Sequence, residues 1–195
     1  MSLKTIQPPE GLSNLVVAGL NRLARQPGTS THDAIWGVRP GELSMTLPHA
    51  VYFLGMKHLI AGQVAKGATF SGWRYIIMRK TQPLLSVGVA LNSSNKTLEF
   101  THASDSPFVQ TTVEGIRRAS VSKKLRKDDF DLRLLELPAL NVVSLWFHSP
   151  TNDYFMPLPP VRKSLKAFQL CSEGALVRAL NDAARKRSEI KNARA

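Results

Sequence analysis

The chain contains a single cysteine, Cys171, among 195 residues. One cysteine cannot form an intramolecular disulfide or a cysteine-based metal cluster. Long apolar runs are also missing: the nearest approach to the roughly 20 apolar residues of a membrane span, 47–65, is interrupted by Lys57 and Gln63. Residues 1–11 lack the apolar run of a signal peptide. We therefore expect a soluble, cytoplasmic protein with no membrane span.

Sequence motifs typical of known enzyme classes are missing as well. The chain has no GxSxG, GxGxxG, HExxH or CxxC pattern and no Walker loop. Segment 62–67 carries two glycines and a lysine, but the lysine precedes the second glycine, and the segment lies at the end of a predicted helix rather than at its start. The sequence therefore predicts neither a metal nor a cofactor.

Charge of one sign is abundant. Lysine and arginine number 26 against 14 aspartates and glutamates, which gives a net charge of +12. Such an excess attracts polyanions and acidic proteins. The densest basic run has no acidic residue before Asp128, and its cations are Arg117, Arg118, Lys123, Lys124, Arg126 and Lys127. We expect this run to bind an acidic or polyanionic partner, with an ordinary solvated face as the alternative.

Nucleic acid is a less favoured partner for this run. Surfaces that bind single strands combine cations with exposed aromatic rings. Aromatic residues make up only 7% of this chain, and most occur in apolar segments. Contact with the phosphate backbone alone, without reading of the bases, stays open as an alternative.

The most apolar stretch, 131–160, predicts the core of a sheet. We expect one strand before a bend at Pro138, a central strand over 140–147, and an edge strand over 155–158. Turn-forming residues separate the last two strands. The apolar side of 155–158 could also pair with a second copy of the chain, so a homo-oligomer is one expectation.

Elsewhere the chain alternates between helical and strand periodicity. Three further strands with short connections are predicted over 70–102. Helices are predicted over 12–25, 46–65, 107–120 and 172–190. Because strands and helices are grouped, the fold class is α+β, with a mostly antiparallel sheet of about five or six strands and helices on one face. The prediction is one domain over 1–195, with an extended lead-in at 1–11 and a frayed tail at 188–195.

Two histidine–aspartate pairs are the candidates for catalysis. His32 and Asp33 lie in the long connection 28–43, and His148 and Asp153 flank the turn of the apolar stretch. Each pair could serve acid–base chemistry, although a hydrogen-bonded turn is the favoured explanation. Cys171 could act as a nucleophile, but its apolar neighbours favour a small core residue.

The segment 101–106 joins a predicted strand to a predicted helix. Free backbone amides and small hydroxyls at such a junction can hold an anion, whereas a capping side chain from Asp105 or Ser106 would explain the same residues.

Taken together, these patterns favour a non-catalytic binding or assembly module over an enzyme. Two alternatives stay open. One is a small hydrolase or transferase that uses the histidines of 28–43 and 148–153. The other is a protein that binds nucleic acid without sequence specificity.

Overall fold

In a computed structural model of the chain, residues 3–192 are described except for 5, 27, 29, 36, 39, 47, 93–96 and 127. The described residues form one ten-stranded sheet and six helices. The strands are β1 Leu3–Lys4, β2 Leu43–Met45, β3 His49–Leu54, β4 Ala68–Arg79, β5 Gln82–Leu91, β6 Leu98–Ser104, β7 Phe130–Leu137, β8 Val142–His148, β9 Asp153–Leu158 and β10 Cys171–Ser172. The helices are α1 Leu12–Leu23, α2 Ser30–Ile35, α3 Met56–Ile60, α4 Val64–Gly67, α5 Phe108–Ser120 and α6 Glu173–Asn192.

The strands lie in the order β10-β9-β8-β7-β3-β4-β5-β6, with β1 added beside β7 and β2 beside β4. Strand β7 pairs in parallel with β3 and β1, and the other pairings are antiparallel. The predicted α+β class and mostly antiparallel sheet are confirmed. The expected five or six strands are too few, because β1, β2 and β10 are only two or three residues long and β3 was assigned to a helix.

The helix predicted over 46–65 is wrong in its first half. Residues 49–54 form β3, and helix α3 begins only at Met56. Strand β3 lies between β4 and β7, and residues on both of its faces are buried: Val51 on one face and Ala50 and Leu54 on the other are 1–4% exposed, although Phe53 is 43% exposed. A strand buried on both faces loses the polar–apolar alternation that marks a strand in sequence, and its apolar spacing then resembles that of a helix.

Helices cover both faces of the sheet, so the expectation of a single covered face is wrong. The front face carries alternate strand residues such as Leu134 and Leu145, and helix α5 packs on it. The back face carries the intervening residues, such as Leu135. Helices α1 and α2 cover its β3–β5 part, and α3, α4 and α6 cover its β7–β9 part. In the central strands, neighbouring residues of both parities are apolar, which demands cover on both sides.

Helix α5 approaches the front face closely because of a glycine. The buried positions of α5 are Val109, Thr112, Gly115 and Ala119, spaced three and four apart. A Cβ on Gly115 would lie 2.8 Å from a methyl carbon of Leu158 and 2.9 Å from one of Leu145. The helix predicted over 107–120 is thus confirmed, and its small residues set its distance from the sheet.

Helix α6 is tied to the back face by its apolar stripe and by one carboxylate. Leu176, Leu180 and Ala184 are fully buried. Glu173 accepts hydrogen bonds from the backbone amides of Val64 (2.5 Å) and Ala65 (3.1 Å), which caps the short helix α4. Helix α6 continues to Asn192. None of the helices within the described residues is long and apolar enough to cross a bilayer.

The segment 155–158 is not an exposed edge. Phe155, Met156 and Leu158 are 0–2% exposed, and β10 pairs with β9 at Phe155 and Tyr154. This stretch therefore cannot offer its apolar side to a second copy of the chain. The strands at the two ends of the sheet are β10 and β6.

We expect Leu145→Ala to lower the free energy of unfolding by about 3 kcal/mol, because Leu145 of β8 is fully buried beneath α5. Val121→Ala is the control, since Val121 is 65% exposed and should change stability by less than about 0.5 kcal/mol. Urea unfolding followed by circular dichroism measures both values. Equal losses would contradict the packing of α5 on the front face.

Candidate functional site

The predicted basic run lies at the end of α5 and in the short 3-10 turn Lys123–Arg126. Arg117, Arg118, Lys123, Lys124 and Arg126 are all exposed, and Lys127 lies outside the described residues. Glu114 faces two of these cations, with oxygens 2.8 Å from Arg117 Nε and 2.6 Å from Arg118 Nε. Hydrogen bonds from both arginines lower the pKa of Glu114 to about 2, and Glu114 in turn raises the pKa of Arg117.

Aromatic rings hold two of these cations in place. The Arg118 guanidinium lies 4.4 Å from the centre of the Phe168 ring, and Lys124 Nζ lies 4.3 Å from that of Tyr154. Lys124 and Lys166 line the same groove of about 390 Å³. We call the basic surface the set Arg117, Arg118, Lys123, Lys124, Arg126 and Lys166.

The pair His148 and Asp153 closes the hairpin between β8 and β9. The two residues are direct partners in the register, and His148 Nδ1 lies 2.8 Å from Asp153 Oδ1. The same oxygen accepts a hydrogen bond from Trp146 Nε1 at 2.5 Å. Ser149 Oγ donates to the carbonyl of Asn152 and accepts from its amide. These contacts account for the polar residues of this turn as local structure.

The second candidate pair lies far from the first in the sheet order. His32 Nδ1 is 3.2 Å from Asp33 Oδ1 in helix α2, which packs against β5 and β6. Strands β7, β3 and β4 separate β5 from β8, which carries His148. The structure does not bring the two pairs together. Burial raises the pKa of the Cys171 thiol, which disfavours the nucleophilic thiolate.

A polar row crosses the front face where the apolar core ends. His49, Arg74, Gly88 and His102 are successive partners on β3, β4, β5 and β6. Glu136 projects from β7 onto the same face and forms an ion pair with Arg74. Both side chains of this pair are only 14% exposed. The sequence interpretation did not find this row, because its members are spread over five strands.

Two adjoining cavities of about 250 and 260 Å³ open along this row, and Arg74 and His102 line both. We call the two cavities together the polar cleft. The first is lined by Arg74, Ser86, His102, Ser104, Ser106, Phe108, Glu136, Pro138, Asn141, Val142 and Val143. The second extends toward Phe53, Ser71 and Thr101.

A missing side chain at Gly88 makes room for the His102 ring. A Cβ on Gly88 would lie 2.4 Å from His102 Cε1. Burial, together with the nearby Arg74 charge, lowers the pKa of His102, against an opposing effect of Glu136. The ring is therefore neutral at neutral pH and can both donate and accept a hydrogen bond.

The start of helix α5 forms one wall of the polar cleft. Ser104, Ser106 and Phe108 line it. Ser106 donates its amide to Ser104 Oγ at 3.2 Å, and Pro107 is the N-cap residue of α5. The junction 101–106, for which the sequence allowed an anion pocket, thus borders the polar cleft. Capping of α5 by Asp105 or Ser106 stays a prediction.

One sequence signal could have indicated the polar cleft. On β4 and β5 the apolar residues Trp73, Tyr75 and Val87 alternate with Arg74 and Ser86. A strand with one apolar and one polar face has its polar face outside the main core. The pattern does not say which polar residues of distant strands meet.

Comparisons with protein families, with curated proteins and with solved structures found no match to this chain. Among the residues that the structure describes, no group of three histidines, cysteines, aspartates or glutamates could hold a metal ion. The function is therefore argued from the geometry and charge of the basic surface and the polar cleft.

His49 makes the stability depend on pH. Burial lowers the pKa of His49 from 6.5 to about 4. The Arg74 charge also lowers this pKa, whereas a hydrogen bond with the Arg74 backbone opposes the shift. The stabilising contribution is fully present above pH 6.5 and is lost as the pH falls toward 4, because the unfolded chain then binds a proton that the folded chain excludes. When the pH falls from 7 to 5, the free energy of unfolding of the wild type should decrease by about 2 kcal/mol more than that of His49→Gln. Urea unfolding measures both values. Equal losses would contradict a neutral, buried His49.

Gly88→Ala should displace the His102 ring and raise its pKa toward the ordinary value, because the exposed ring would lose the partial desolvation that it has beside Gly88. An NMR titration of the His102 Cε1 proton measures this pKa. Gly55→Ala is the matched control, since a Cβ on Gly55 meets no atom within 4 Å. An unchanged His102 pKa in Gly88→Ala would refute the proposed contact.

Proposed function

We propose that the protein is a non-catalytic binding module whose basic surface engages an acidic or polyanionic partner. The observation that carries this proposal is the clustering of exposed cations at one end of α5. The five described cations of the run are all exposed, and Glu114 pairs with two of them, Arg117 and Arg118.

The pairing of acids elsewhere strengthens the argument. Several carboxylates are held by internal partners: Glu42 with Arg79, Asp131 with Arg133, Glu136 with Arg74, Asp153 with His148 and Trp146, and Glu173 with the start of α4. Because these acids pair with nearby groups, they do little to neutralise cations elsewhere on the surface. A large part of the net charge of +12 therefore faces solvent at the basic surface.

The basic surface is also better ordered than a set of free lysines. Leu125 is fully buried and anchors the 3-10 turn that carries Lys123, Lys124 and Arg126. The rings of Phe168 and Tyr154 position Arg118 and Lys124. Cations that are already positioned lose less conformational entropy when a partner binds.

The test is binding to labelled duplex DNA, single-stranded RNA and poly-L-glutamate, each titrated against salt. We expect Lys123→Ala/Lys124→Ala/Arg126→Ala to weaken binding about tenfold or more at low salt and to reduce the salt slope for duplex DNA by up to about three. The control, Arg25→Ala/Lys57→Ala/Lys66→Ala, removes the same number of exposed cations elsewhere and should leave binding nearly unchanged.

The three ligands separate the classes of partner. Binding to poly-L-glutamate but not to nucleic acid identifies an acidic protein. Binding to nucleic acid with a steep salt dependence identifies contact with phosphates and supports the nucleic-acid alternative. Failure to bind any of the three at low salt, or equal losses in the two triple variants, would overturn the proposal.

A further inference from the structure

The polar cleft carries opposite charges side by side. Arg74 and Glu136 both line its first cavity, and each side chain is 14% exposed. The remaining titratable group of that lining, His102, is neutral because burial lowers its pKa. His49, beside Arg74 on β3, is neutral for the same reason. The charges of the cavity thus compensate each other and match a ligand that is itself internally compensated.

Hydrogen-bond donors collect at one end of this cavity. Ser104 and Ser106 precede α5 and line this end of the cavity. The positive end of the α5 helix dipole favours a carboxylate. Arg74 adds further donors, since its planar guanidinium carries N–H groups besides the Nη1 group that pairs with Glu136.

A hydrogen-bond acceptor and an apolar wall line the rest of the first cavity. Glu136 provides a carboxylate that can accept from an ammonium group. Phe108, Val142 and Val143 provide an apolar wall. The volume of about 250 Å³ lies just below the roughly 300–1,000 Å³ of pockets for drug-sized ligands, which favours a small metabolite over a cofactor.

We propose that the first cavity of the polar cleft binds a free α-amino acid. Its carboxylate would lie at the start of α5 and beside Arg74, its ammonium group beside Glu136, and its side chain against Phe108 and the two valines. A simple anion would meet the Glu136 charge, and a simple amine would meet that of Arg74. This inference is independent of the basic surface and goes beyond the function proposed for it.

The test is an NMR titration of the ¹⁵N-labelled full chain with L-serine, L-leucine and L-phenylalanine. Each is added to about 10 mM, so that binding with dissociation constants as weak as the millimolar range is detected. Two analogues accompany leucine: 4-methylpentanoate lacks its ammonium group, and 3-methylbutylamine lacks its carboxylate. We expect saturable shifts at His102 and Phe108 with at least one amino acid. If leucine is among those that bind, each analogue should bind about tenfold more weakly or worse.

Glu136→Gln gives the sharper outcome. Removing this charge should weaken amino-acid binding about tenfold and strengthen binding of 4-methylpentanoate, because Arg74 is then uncompensated. Arg74→Gln should shift the preference toward 3-methylbutylamine. A change of preference cannot arise from unfolding, and the dispersion of the amide spectrum verifies the fold of each variant.

The variant Lys123→Ala/Lys124→Ala/Arg126→Ala should bind the amino acid as the wild type does, which keeps this test separate from that of the basic surface. The proposal is overturned if none of the three amino acids gives a saturable shift. It is equally overturned if Glu136→Gln leaves the preference among leucine and its two analogues unchanged.

Discussion

The parallel pairing of β3 with β7 is the constraint on which the rest of the fold depends. It joins an antiparallel group, β3 to β6, to a second one, β7 to β10. Both strands lie in the middle of the sheet, and apolar residues on each of their faces are buried beneath helices. Helix α5 covers the front of the second group, and α1, α2 and α6 cover the back. The placement of α5 also determines where the front face stays open.

The open part of the front face is where polar chemistry gathers. Over β7 to β9 the front face is filled by leucine, phenylalanine and methionine beneath α5. Over β4 to β6 it carries Arg74, His102 and serines instead. The ion pair of Arg74 with Glu136 spans the boundary, linking β4 to β7 across β3. A buried ion pair contributes little net stability, because removing both charges from water offsets their attraction.

The two proposed sites use one helix in two ways. The start of α5 borders the polar cleft, where the positive end of the helix dipole favours a carboxylate. Its last turn carries Arg117 and Arg118, where cations suit the opposite end of the helix dipole. The helix therefore separates a small, charge-compensated cavity from an open surface with an excess of positive charge. Small zwitterions suit the first, and extended acidic partners suit the second.

Local patterns in the sequence determined the fold class, the helices at 12–25, 107–120 and 172–190, and most antiparallel strands. Periodicity and turn residues act over a few positions, so one sequence carries them in full. The exposed basic run was also evident from composition, because charged side chains stay at the surface. Tertiary structure decided the rest. Residues on both faces of β3 are buried, so its sequence lacks the alternation of a typical strand. Helices α5 and α6 pack on opposite faces of the sheet. The strand register places His49, Arg74, Gly88, His102 and Glu136 in one row. Such meetings depend on contacts between distant segments, which no local pattern records.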